Sequence, residues 1–136
     1  MRQGIEAQYI HNAKQATGVG ISILVSSFRH KELTLATAGM GVGDTITVKI
    51  QGSSSASAPT FSSAKSASNL WDYIQIVDLE DGTTVDGDTG VTFSDSNDVR
   101  KFAINADGLV WVNVEITVIS DAVNTSLTAI IEIFND

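Results

Sequence analysis

Val110-Trp111-Val112-Asn113-Val114-Glu115-Ile116-Thr117-Val118-Ile119 decides the fold class. Successive side chains of an extended strand point to opposite faces. Val110, Val112, Val114, Ile116 and Val118 therefore share one face, and Trp111, Asn113, Glu115, Thr117 and Ile119 share the other. A β-branched residue at every second position fits a pleated, half-buried surface and crowds a helix.

The same period extends in both directions. Downstream, Leu127, Ala129, Ile131 and Ile133 form an inner row, with Ser126, Thr128, Ile130, Glu132 and Phe134 opposite. Upstream, Ile46, Val48 and Ile50 alternate with Thr45, Thr47 and Lys49, Leu33 and Leu35 with Glu32 and Thr34, and Ile21, Ile23 and Val25 with Ser22 and Leu24. Val91 and Phe93 mark a further short strand, Phe102 and Ile104 another, and residues 70–79 read as one strand that is apolar on both faces. Turn chemistry separates these runs at Gly39–Asp44, Glu80-Asp81-Gly82, Asp86–Gly90 and Asp95–Asp98. No run carries a sustained helical period. The expected architecture is all-β, an antiparallel β-sandwich or jelly roll of about eight strands.

Two segments break the period. Residues 1–18 scatter Ile5, Tyr9 and Ile10 among polar residues and read as an N-terminal arm, whose removal is expected to leave the fold intact. Residues 19–136 then form a single β-sandwich domain, interrupted at 52–69 by a Ser/Ala-rich loop with the sole proline, Pro59, beside Phe61. A connection of that length inside a compact domain is usually functional or disordered. Phe61 is the residue able to pin it.

The chain has 136 residues, 43% of them hydrophobic and 18% charged, which excludes general disorder and suits one domain with a real core. No apolar run reaches the ~20 residues of a membrane-spanning helix. The start, Met1-Arg2-Gln3-Gly4, leads into polar sequence, so no secretory signal is expected. With no cysteine, thiolate catalysis, disulfides and cysteine zinc sites are excluded. Charge is unevenly spread: residues 1–71 hold six Lys/Arg against three acids, residues 72–136 two against thirteen, and the net is −8. Binding of nucleic acid is not expected, because phosphate contact depends on clustered Lys and Arg.

Catalysis also lacks its parts. His11 and His30 are the only histidines, the first in the arm and the second within Phe28-Arg29-His30-Lys31, and no nucleophile elbow or zinc-protease motif occurs. The chain is expected not to be an enzyme, with no catalytic residue and no cofactor. Gly39-Met40-Gly41-Val42-Gly43 reads as a hairpin turn, since it lacks the lysine and helix of a phosphate loop. Asp81, Asp86 and Asp88 lack the spacing of a calcium loop and read as solvated turn acids, so no metal is expected. Trp71, Tyr73 and Trp111 fit core and interface packing better than a sugar-stacking platform. Trp111, Ile119, Ile130 and Phe134 stand where wet residues belong. An apolar patch of that kind marks an association surface unless the loop or the arm covers it, and an oligomer is the expectation.

Val25-Ser26-Ser27-Phe28-Arg29-His30-Lys31, Val48-Lys49-Ile50-Gln51-Gly52-Ser53, Asn69-Leu70-Trp71-Asp72-Tyr73, Asp78-Leu79-Glu80-Asp81-Gly82, Asp86-Gly87-Asp88-Thr89-Gly90 and Phe134-Asn135-Asp136 together resemble the small all-β virion proteins of tailed bacteriophages, over residues 17–136. Among these, capsid decoration (cement) proteins are most similar. The resemblance implies a structural protein on the capsid surface of a virion, a homo-oligomer with a trimer favoured. Its partners would be the major capsid protein or other virion proteins, with no nucleic acid and no membrane. It places Arg2, Ile5, Tyr9 and Ile10 in the capsid-contact arm and Trp111, Ile119, Ile130 and Phe134 in the oligomer interface. A tail, neck or fibre component is the nearest alternative, and a carbohydrate-binding module for host recognition is another.

Overall fold

The computed structural model describes residues 3–135. Twelve strands follow one another: β1 (Gln3–Lys14), β2 (Gly18–Val19), β3 (Ile23–Leu24), β4 (His30–Ala38), β5 (Thr45–Ser53), β6 (Asp72–Tyr73), β7 (Ile76–Asp78), β8 (Thr84–Val85), β9 (Val91–Ser94), β10 (Val99–Ala103), β11 (Trp111–Ile119) and β12 (Ser126–Asn135). Four of them, β2, β3, β6 and β8, are two-residue pairings; the strand expected over residues 21–25 shrinks to β3, and β1 arises in the segment read as an arm, so the eight longer strands equal the expected number with a different membership.

Two antiparallel sheets enclose one core. Sheet A runs β1-β12-β4-β10-β7-β8. Sheet B runs β2-β11-β5-β6, with β3 also on β11 and β9 on β5. Leu33, Leu35, Leu127, Ile131, Ile133 and Phe102 from sheet A meet Ile46, Val48, Ile50, Val112, Val114 and Ile116 from sheet B, all of them buried in a single cluster. These are the inner rows expected from alternation.

The row on β11 breaks near its end. Its pairing with β5 shifts between Ile116 and Val118, so Val118 opposes Thr47 and Ile119 opposes Ile46. An irregularity of this kind turns the side chains that follow it to the other face. Val118, expected inside, is exposed, and Ile119, expected outside in the oligomer interface, packs against the core.

Residues 70–79 are not one strand. β6 joins sheet B and β7 joins sheet A, so the segment crosses from one layer to the other. That crossing explains its apolar residues on both faces. Across it, Gly87 lies so close to Tyr73 that a Cβ there would stand 2.7 Å from the Tyr73 carbonyl.

The segment read as an arm lies along β12 as β1, the outermost strand of sheet A. Register shifts between Gln3 and Glu6, Tyr9 and His11, and His11 and Lys14 destroy its two-residue period. Ile10 is 2% exposed and belongs to the core. Its carbonyl accepts the Ile21 amide, and His11 Nε2 bonds the Val114 carbonyl at 2.7 Å, which ties the strand to sheet B. Removal of residues 1–16 would strip a core strand, not a loose extension.

Candidate functional site

Each sheet has an outer face, and the two differ. On sheet A the cross-strand register sets Tyr9 opposite Ile130, Ile130 opposite Thr34, and Thr34 opposite Lys101. One row along, Thr128 opposes Ala36 and Ala36 opposes Val99. Directly opposed residues have Cβ atoms about 5 Å apart, so each row is continuous. Tyr9 is 52% exposed and Val99 63% exposed, with Ile130 partly exposed between them. A charged rim follows: Lys101 Nζ lies 3.5 Å from Glu132 Oε1.

Sheet B is covered over part of its outer side, with Thr92 and Ser94 on β9 left exposed. Gln51, Ser53 and Asn113 stand at outward positions, yet all three are buried. The Ser/Ala-rich loop folds over Gln51 and Ser53, while Asn113 is held by the 20–22 segment: its Oδ1 accepts the Gly20 amide and its Nδ2 donates to the Gly20 carbonyl and Ser22 Oγ. Phe61 is buried under this cover, and Gln51 Nε2 donates to the Phe61 carbonyl at 2.9 Å. Asn69 holds the loop closed: its amide nitrogen donates to the Thr60, Ser63 and Ala64 carbonyls, and its oxygen accepts the Thr60 amide. Trp71 Nε1 donates to the Ser63 carbonyl, and Ser53 Oγ to that of Leu70. A segment with almost no large apolar residues is thus ordered by side-chain-to-backbone hydrogen bonds.

At one margin of this cover, Tyr73 meets the Trp71 ring edge-on at 5.0 Å and donates its hydroxyl to Glu115. Burial and the adjoining carboxylate push the Tyr73 phenol up to about 12. Lys49 Nζ sits 4.9 Å from the Tyr73 ring centre. Lys65 pairs with Asp72, and the lysine ammonium holds the Asp72 carboxyl below the usual carboxylate range. A second ion pair lies at the open flank of the sandwich, where Arg100 Nη2 donates to Asp78 Oδ2 at 2.7 Å and the guanidinium stands over Phe102.

The residues expected to act together are dispersed. Tyr9 and Ile130, assigned from sequence to separate surfaces, are brought side by side. Trp111 is on the other sheet, partly buried, with its indole nitrogen enclosed and unpartnered. Ile119 has turned inward. Phe134 is 3% exposed and stacks on His30 at 5.0 Å, so it is an internal residue of the protomer. Ile10 is internal for the reason already given. Arg2 and the Ile5 side chain lie outside the described residues. Val99 escaped the sequence reading, although the inward assignment of Phe102 implied an outward side chain there.

The turn acids are engaged locally. Asp86 Oδ2 accepts the amides of Asp88 and Thr89, Asp81 Oδ1 accepts the Thr83 amide and hydroxyl, and Asp95 Oδ1 accepts the Gly43 amide. Among the described residues no three His, Cys, Asp or Glu side chains gather as metal ligands. His11 is held below its ordinary value, chiefly by burial and further by Lys14.

No family model matches the chain, and no curated protein matches it in sequence. Its fold does recur among solved structures. It is similar to that of a prophage-derived protein. The crystal structure of the SPBc2 prophage-derived protein YomS superposes with a TM-score of 0.62, covering 98% of this chain and 95% of that one at 14% identity. A likeness over nearly the whole of both chains at so low an identity is a likeness of architecture.

Proposed function

We propose that this chain is a structural protein of a bacteriophage particle, set on the capsid surface as a decoration protein and acting through passive contact with other protein chains, without catalysis. The end-to-end likeness in fold to a prophage-derived protein carries the reading. The uncovered outer face of sheet A supplies the means, because Tyr9, Ile130 and Val99 expose apolar surface within a charged rim. Faces of that composition suit association, with the apolar centre contributing most of the affinity. Multivalent attachment of many copies would lock a shell through individually weak contacts.

The contact surface is then a strand-paired face that includes Tyr9, and not a flexible extension. Purified particles test the reading. A copy number close to that of the major capsid protein, with labelled chains distributed over the shell, is the expected result. A few copies confined to one vertex or to the tail would move the protein to a neck, tail or fibre position, and absence from particles would overturn the structural role.

A further inference from the structure

We infer that the groove beside the Ser/Ala-rich loop is a binding site for a neutral saccharide, on the side of the molecule opposite the sheet A face and independent of the role proposed above. The groove is a shallow, broadly open depression of about 630 Å³. Leu70, 58% exposed, and Trp71 give it an apolar wall, while Ser54, Ser66, Lys65 and Asp72 line the remainder. A sugar ring presents C–H bonds on its faces and hydroxyls around its edge. It therefore needs an aromatic surface bordered by hydrogen-bonding groups, and an aromatic ring is a rigid surface of low entropic cost.

Charge narrows the choice of ligand. Lys65 and Asp72 face each other as a neutral pair, supplying one donor and one acceptor without a net field for phosphate or for a cation. Asp72 Oδ1 takes both the Lys65 ammonium and the Tyr73 amide, which leaves Oδ2 as an acceptor for a ligand hydroxyl. A cation cage built on the nearby aromatics is opposed by Lys49, already seated over Tyr73.

The site is also preorganised. Trp71 is fixed by its bond to the Ser63 carbonyl, and Asn69 fastens the same loop at four points. Ordering that precedes binding spares the ligand that entropic cost. Trp111, the other tryptophan, has its polar edge enclosed and takes no part.

The test is a nuclear magnetic resonance titration of the full chain with glucose, galactose, N-acetylglucosamine and β-linked N-acetylglucosamine oligomers at millimolar concentration. At least one of these should shift the Trp71 indole signal and the amides of Lys65, Ser66 and Asp72, leaving Trp111 unmoved. Trp71→Ala should abolish the response. Because that change also frees the loop, Asp72→Asn provides the second variant; it keeps the indole and should weaken binding about fivefold or more, the loss of a hydrogen bond to a charged acceptor. No shift with any of the sugars, shifts that map elsewhere, or equal affinity in Asp72→Asn would overturn the site. None of these outcomes bears on whether the protein is found in particles.

Discussion

The outer faces of the two sheets start from similar alternation and end differently. On sheet B, Gln51 and Ser53 occupy wet positions but are sealed by residues 54–71, pinned by Phe61 and Asn69. On sheet A the row Tyr9, Ile130, Thr34 is covered by nothing among the described residues. A polar strand face can become interior when a connection supplies its own cover, whereas a more apolar face can stay bare when its partner is another molecule.

The contrast can be broken from the covered side first. Phe61→Ala removes the buried anchor of the cover and should cost about 3 to 5 kcal/mol, as a drop in the urea midpoint. Asn69→Ala deletes four hydrogen bonds but no core volume, and a loss of about 1 to 3 kcal/mol is expected. Hydrogen exchange should accelerate across residues 54–71 and stay unchanged in β12, which would assign the loss to the loop.

The attachment of β1 sharpens the other side. Burial disfavours the charged form of His11 in the fold, so its folded pKa lies below the ordinary histidine value of about 6.5. As pH falls through that value, the unfolded chain takes up a proton that the folded chain refuses. The His11 contribution to stability is complete above about pH 6.5 and shrinks below it until the lower folded value is passed. Urea midpoints for the protein should decline between about pH 7 and pH 5.5, and His11→Gln should flatten that slope.

The smallest effect on stability belongs to the bare face. Tyr9→Thr with Ile130→Thr removes apolar surface but keeps good strand formers at a directly opposed pair and should change stability by about 1 kcal/mol or less. Its effect on association should be large. Light scattering of the unaltered protein at micromolar concentration is expected to give a multiple of the subunit mass, and the double variant a single subunit.

How much of this was legible depends on the strand. β11 and β12 announced themselves because long central strands bury one face continuously, and Leu127, Ala129, Ile131 and Ile133 are each 0% exposed. β1 stayed hidden because its three register shifts leave no constant period, although it contributes Ile10 and His11 to the interior. The reversal of Val118 and Ile119 is invisible to alternation for the same reason: one irregularity inverts everything after it. Parity sets Phe134 on the outward side of β12, but parity carries no information about the His30 ring stacked on it, and the side chain is buried. The cover over sheet B depends on Asn69 reaching back to Thr60, Ser63 and Ala64, a tertiary arrangement that composition alone reads as low complexity.

Cosedimentation with phage shells from which the protein has been stripped tests the central claim most directly. The account predicts that the unaltered chain binds to saturation at a fixed ratio to the capsid protein, and that the Tyr9→Thr, Ile130→Thr variant, with a melting profile close to that of the unaltered chain, remains in the supernatant. Equal binding by both proteins, or no binding by either, would contradict it.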